Sequence, residues 1–178
     1  MKYICVHHTA VANNGYPQLD AVNRYHRDKD WGGGWKQPAP SSLGWYVGYN
    51  EFVDVDGTRT KTRVFGEQTI AVRGHNCDVK KRCDTYHVCF AGGNEPLNSR
   101  QLATWLKIKN EFPEIEIVGH RHLQNNRTCP GDEILNQVTA NEDAEKEAMI
   151  RQLQFRLLDL LLQKIRVLKQ KIYDRDNQ

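Results

Sequence analysis

Glycine and proline stop abruptly in this 178-residue chain: the last of either is Gly131, and residues 141–178 contain neither. Both residues punctuate local structure, so the chain reads as two regions. Residues 1–140 form short elements joined by turns, and residues 141–178 form a long helix. The length suits one ordinary domain of about 100–150 residues plus an appendage. In the second region Ile150, Leu153, Leu157, Leu161, Ile165, Leu168 and Ile172 recur three or four residues apart. That is an amphipathic helix with a coiled-coil-like stripe that drifts, because the spacing is not a strict heptad. Its eight basic and seven acidic side chains nearly balance, which argues against a basic membrane-surface helix. Two fates remain for the stripe: packing on its own domain, or homo-oligomerisation through residues 141–178.

Within residues 1–140 the pattern alternates between strands and helices. Lys2 to Val6 is β-prone and runs into His7-His8, so a strand end presents histidines. Leu19, Val22, Tyr25 and His26 make the apolar stripe of a short helix to Lys29, and a long loop with Trp31, Trp35 and three consecutive glycines follows. Trp45 to Val55 and Thr58 to Phe65 read as two strands about an Asp56-Gly57 hairpin turn. A further strand is expected at Tyr86 to Ala91. Ser99 then reads as the N-cap of a helix that carries Leu102, Trp105, Leu106 and Ile108 up to Pro113. Glu114 to Val118 forms a strand delivering Gly119-His120, a loop spans Arg121 to Pro130, and a last helix covers Gly131 to Val138.

Some functions are disfavoured by composition. A net charge of +3, from 25 basic and 22 acidic side chains, is too small to call for a nucleic-acid partner. No apolar run of about 20 residues is present to span a membrane. The opening MKYICVHHTA alternates where a secretory leader needs an unbroken apolar stretch, so synthesis in the cytoplasm is expected. Five cysteines cannot all pair among themselves. His7-His8, His120 with His122, and Cys129 offer imidazole and thiolate ligands of the kind zinc takes, and three such ligands leave a fourth position open. Loop histidines and a free thiol are the plain alternative, since no CxxC or HExxH pattern is present.

VHHTA at 6–10, GYNEFVDVDG at 48–57, AVRGHN at 71–76, VCFAGG at 88–93 and GHRHLQNNRTCPG at 119–131 resemble, in order, the motifs of zinc-dependent N-acetylmuramoyl-L-alanine amidases. That family includes amidase-type phage lysozymes and peptidoglycan recognition proteins. The resemblance covers about residues 1–138 and implies an α/β domain, a mixed central β-sheet flanked by helices, with the C-terminal amphipathic helix outside it. Carried over by position, it implies one zinc on His7, His120 and Cys129, with His8 the near alternative to His7 and His122 a loop or supporting residue. Tyr49 takes the place of the catalytic tyrosine and His75 that of a substrate-side histidine, whereas Tyr46 is read as packing. Arg127 stands where many phage members have lysine; arginine can hold an oxyanion but cannot donate its proton at neutral pH. Cys89 stands where other members place a glutamate, and the loop from His120 to Cys129 is one residue longer than in some relatives.

The implied activity is hydrolysis of the amide between N-acetylmuramic acid and L-alanine in bacterial peptidoglycan, by an endolysin acting on the wall after release or by a wall-remodelling enzyme. The competing class is a non-catalytic peptidoglycan-binding module, against which Cys129 argues. Trp35 or Trp45 is expected to border the cleft and touch substrate. Cys77 and Cys83 would pair only in an oxidising compartment.

Overall fold

A computed structural model describes residues 1–29, 39–77, 83–125, 127–139 and, in the tail, 157, 160, 161, 163 and 164. The chain divides into two units, Met1–Thr139 and Ala140–Gln178. The five described tail residues are helical and exposed; the rest of the expected long helix, with Trp31 and Trp35 of the glycine-rich loop, lies outside the described residues.

The first unit contains β1 (Tyr3–His8), α1 (Leu19–Asp28), β2 (Glu51–Val53), β3 (Arg59–Lys61), β4 (Thr85–Phe90), α2 (Ser99–Glu111), β5 (Glu116–Gly119) and the single turn α3 (His120–Leu123). Residues 132–139 are helical again. The strands form one mixed sheet in the order β3-β2-β4-β1-β5, matching the expected fold class. β1 runs parallel to both β4 and β5, β2 is parallel to β4, and β3 is antiparallel to β2. Four parallel strands therefore end at the same edge, where His7-His8 and Gly119-His120 emerge together. Open α/β sheets place ligands at this carboxyl edge.

Alternation along the buried strands assigns the two faces. Ile4 and Val6 of β1 with Tyr86, Val88 and Phe90 of β4 enter the larger core, joined by Trp105 and Ile108 of α2 and by Ile134 and Val138. The intervening residues Cys5, His7, His87 and Cys89 lie in register on the other face, with Cys5 opposite His87 and His7 opposite Cys89. A second core forms on Val47, Phe52, Val55, Cys89 and Ala91, against which Leu19 and Val22 of α1, Trp45 and Tyr49 pack.

Several local expectations need correction. The N-cap of α2 is Asn98 rather than Ser99: its side chain accepts from the Arg100 and Gln101 amides, and Gln101 Oε1 accepts from the Asn98 amide. A capping box needs its partner three residues on, which Gln101 satisfies only for Asn98. The two hairpin strands are shorter than expected, because the backbone before Glu51 bonds elsewhere. The Gly48 amide donates to His26 Nδ1, and the Asn50 carbonyl accepts from both Thr62 and Arg63. The Asp56-Gly57 turn forms, with Gly57 at φ +83° and its amide bonded to the Asp54 carbonyl. The expected loop after His120 begins as the helical turn α3.

The start of α1 is organised from a distance. No side chain of its own caps it; instead the buried Asp54 carboxylate accepts from the amides of Gln18 (2.8 Å) and Leu19 (3.1 Å), and from that of Val55. Negative charge at a helix N-terminus is favourable.

Candidate metal centre

The edge where β1 and β5 end assembles a compact donor set. The ligand atoms of His7, His120 and Cys129 lie within 4.8 Å of one another, and Cys129 Sγ is 3.9 Å from His7 Nδ1. In a tetrahedral zinc site with ordinary bond lengths the S···N edge is about 3.6 Å, so this donor set fits the ion with a small contraction. His7 is fully buried and the other two are half-buried.

Different parts of the fold position each donor. β1 delivers His7, and β5 delivers His120 through Gly119, which lets the Cys129 loop approach. A Cβ on Gly119 would lie 2.8 Å from Pro130 Cδ, while the Arg121 amide donates to the Cys129 carbonyl. The His8 amide, in turn, points at Cys129 Sγ at 3.4 Å. His8 itself turns away, its Nδ1 accepting from the Ala10 amide. His122 is exposed, with its Nδ1 accepting from the Gly119 amide. Neither belongs to the donor group, so the structure brings together His7, His120 and Cys129 as the sequence motifs imply.

The charges suit a cation. Burial, reinforced by His87, His120 and His8, holds His7 well below its ordinary 6.5 and therefore neutral. His120 is lowered too, by burial first. Burial pushes the Cys129 thiol up to about 11, opposed by the His8 amide and the positive charges of Arg121 and Arg127. Without a cation the thiol keeps its proton; a metal takes the thiolate and releases it.

Tyr49 stands beside this group, its ring 5.1 Å from that of His7 and 5.7 Å from that of His26. Burial, then the neighbouring thiols of Cys89 and Cys129, raises its hydroxyl well above 10. It is thus a proton donor at neutral pH. Arg127 is exposed, yet its charge reaches His120 and Cys129. Trp45 is partly buried against the second core. The His75 ring faces Tyr3 edge-on at 6.4 Å, with Nδ1 3.6 Å from Asp84. These neighbours mark the opposite ends of the strands, so that ring is not brought to the donor group. Cys77 and Cys83 form a disulfide.

The sequence motifs did not single out His26, His87 or Cys5. His26 is buried, accepts from the Gly48 amide at 2.9 Å, and is held down to about 4 by burial and then by Arg63 and Lys29. His87 is fully buried, contacts His7 Nε2 at 3.1 Å, and is likewise held to about 4 by burial. The available signal was strand phase: Cys5, His7, His87 and Cys89 share one face of paired strands.

No family model matches the chain, and no curated protein matches it. Solved structures do. N-acetylmuramoyl-L-alanine amidase LysC from Clostridium intestinale is 17% identical, with a TM-score of 0.56, over 80% of this chain and 85% of its own. The Ph2119 endolysin of a Thermus scotoductus bacteriophage is 24% identical, with a TM-score of 0.54, over 78% and 82%. Human PGRP-IBETAC, solved with a glycosamyl muramyl pentapeptide, is 18% identical, with a TM-score of 0.57, over 78% and 81%. The first unit therefore has the fold shared by N-acetylmuramoyl-L-alanine amidases, phage endolysins and peptidoglycan recognition proteins. At these identities the likeness is one of fold.

Proposed function

We propose that the chain is a zinc-dependent N-acetylmuramoyl-L-alanine amidase that hydrolyses the amide between the lactyl group of N-acetylmuramic acid and L-alanine in peptidoglycan. The observation that carries this reading is the convergence of His7, His120 and Cys129, with Tyr49 beside them, at the carboxyl edge of the parallel strands. His7, His120 and Cys129 would hold the ion, which when bound supplies Lewis acidity toward the scissile carbonyl and an attacking water.

The chain's own residues do the rest. Tyr49 keeps its proton at neutral pH and can donate a hydrogen bond to the oxyanion that develops on the carbonyl. Arg127 adds positive charge at the same mouth without exchanging a proton. Trp45 and the glycine-rich loop with Trp35 are the proposed wall against sugar or stem peptide. His75 gains no support as a substrate-facing ring from its place beside Tyr3 and Asp84. Among the described residues no helix is long and apolar enough to cross a membrane. We also propose that the tail self-associates; Leu157, Leu160 and Leu161 are exposed on it.

Zinc analysis with a muropeptide digest tests the reading. The expected result is one zinc per chain and release of new L-alanine amino termini, both lost in Cys129→Ser. Stoichiometric zinc and peptidoglycan binding without amine release would replace the enzyme by a non-catalytic binding module, the class of partner suggested by the recognition-protein fold.

A further inference from the structure

A metal-ligating imidazole must present a bare nitrogen to the ion, and the hydrogen bond at its other nitrogen decides which one that is. In this chain the deciding contact for His7 is another histidine. His87 Nε2 lies 3.2 Å from the His75 carbonyl. A carbonyl only accepts, so the His87 proton sits on Nε2. The ring is neutral because it is fully buried and, among the described residues, no carboxylate is hydrogen-bonded to it, which leaves its Nδ1 bare. That nitrogen faces His7 Nε2 at 3.1 Å and needs a donor there. His7 therefore carries its proton on Nε2, and its bare Nδ1 faces Cys129 Sγ.

We propose that His87 is a positioning residue for the metal centre, which through the chain from the His75 carbonyl to His87 to His7 holds His7 in the tautomer whose Nδ1 can bind zinc. The proposal rests on the zinc reading of His7, His120 and Cys129 and assigns the residue that prepares one of its ligands. The distant end of the chain is braced. Asn76 Oδ1 accepts from the Ala71 and Val72 amides, the His75 amide donates to the Val72 carbonyl, and Cys77, two residues on, is tied to Thr69 by its amide and to Cys83 by the disulfide. His120 has a parallel arrangement. Gln124 Oε1, oriented by the Arg73 amide, lies 3.2 Å from His120 Nε2 and leaves Nδ1 bare. Cys5, His7 and His87 also form a group of metal-type donors within 4.8 Å. There the two facing nitrogens already share the His87–His7 hydrogen bond, so a proton rather than a cation occupies the gap.

Two measurements test this. In metal-free wild-type protein labelled with ¹⁵N-histidine, long-range proton–nitrogen correlation should place the His7 proton on Nε2; a proton on Nδ1 overturns the proposal. Zinc affinity by chelator competition should then fall about 10- to 100-fold in His87→Phe, the range for losing a partner of a metal ligand. In His87→Asn, whose Oδ1 stands in for Nδ1 as the acceptor, affinity should stay within a few-fold of wild type. Circular dichroism melts of each metal-free variant identify any that fails to fold, in which case the wild-type spectrum decides. Unchanged affinity in folded His87→Phe, or two zinc ions per wild-type chain, overturns the proposal. Wild-type protein that binds no zinc but carries the His7 proton on Nε2 would refute the zinc reading and leave the tautomer assignment standing.

Discussion

His26 should make the first unit acid-sensitive in a way that one substitution removes. Its ring is buried, accepts a hydrogen bond from the Gly48 amide, and is held near 4 against an ordinary 6.5. The folded state therefore binds fewer protons here than the unfolded chain at any pH between those two values. Stability is fully present above about 6.5 and is lost as pH falls toward 4. Lowering the ring from 6.5 to about 4 corresponds to about 3 kcal/mol over the whole window. Integrated from pH 7 to pH 5 alone, the loss is about 2 kcal/mol. His26→Asn places Oδ1 where Nδ1 accepts from Gly48, preserving the hydrogen bond while removing the titration. Urea unfolding of both proteins at several values from pH 7 to pH 5, with a chelator present so that metal binding adds no pH dependence, gives two stability curves. Other titrating groups cancel in their difference to the extent that they do not couple to His26. The wild type should lose about 2 kcal/mol more than His26→Asn over that interval. A difference that stays flat would refute the claim that this ring is buried neutral.

Asp54→Ala removes the acceptor shared by the Gln18, Leu19 and Val55 amides and should destabilise the unit by about 1–3 kcal/mol in denaturant unfolding. Gly57→Ala puts a side chain on a residue at φ +83° and a Cβ 2.8 Å from the Arg100 carbonyl oxygen; a cost of about 2 kcal/mol or more is expected, with a lowered melting temperature as the check. Zinc binding should tighten as pH rises from 6 to 8, with about one proton released per ion, because Cys129 is a thiol in the metal-free protein; isothermal titration in buffers of different ionisation enthalpy counts that proton. Truncation after residue 140 should leave cleavage of soluble muropeptides intact and reduce the sedimentation mass by more than the deleted residues, and an unchanged association state would refute tail self-association.

Much of the first unit was legible because its signals are local. Leu19, Val22 and His26 of the α1 stripe, though not the exposed Tyr25, the Asp56-Gly57 turn and the β-prone run into His7 each lie within one short window, where periodicity and turn chemistry act. The final motif was legible for the same reason, since His120 and Cys129 fall within the single run 119–131. Errors arose where a backbone group found a partner outside its window. Trp45 to Asn50 has strand-like composition, yet Gly48 and Asn50 bond to His26, Ile70 and His87 and leave the ladder. The N-terminus of α1 lacks a local cap because Asp54, about 35 residues later, supplies it.

By itself the sequence determined the kinds of element, the change of character near residue 140, and the residue types able to bind a soft divalent cation. Tertiary structure decided how the donors meet and which residue backs them. Parallel pairing of β1 with β4 and β5 brings His7 and His120 to one edge, and the register that sets Cys5 opposite His87 puts His87 against His7 across 80 positions of chain. Periodicity reports the face on which a side chain lies. The neighbour it meets there depends on strand order and register, set by how the two buried faces pack as a whole.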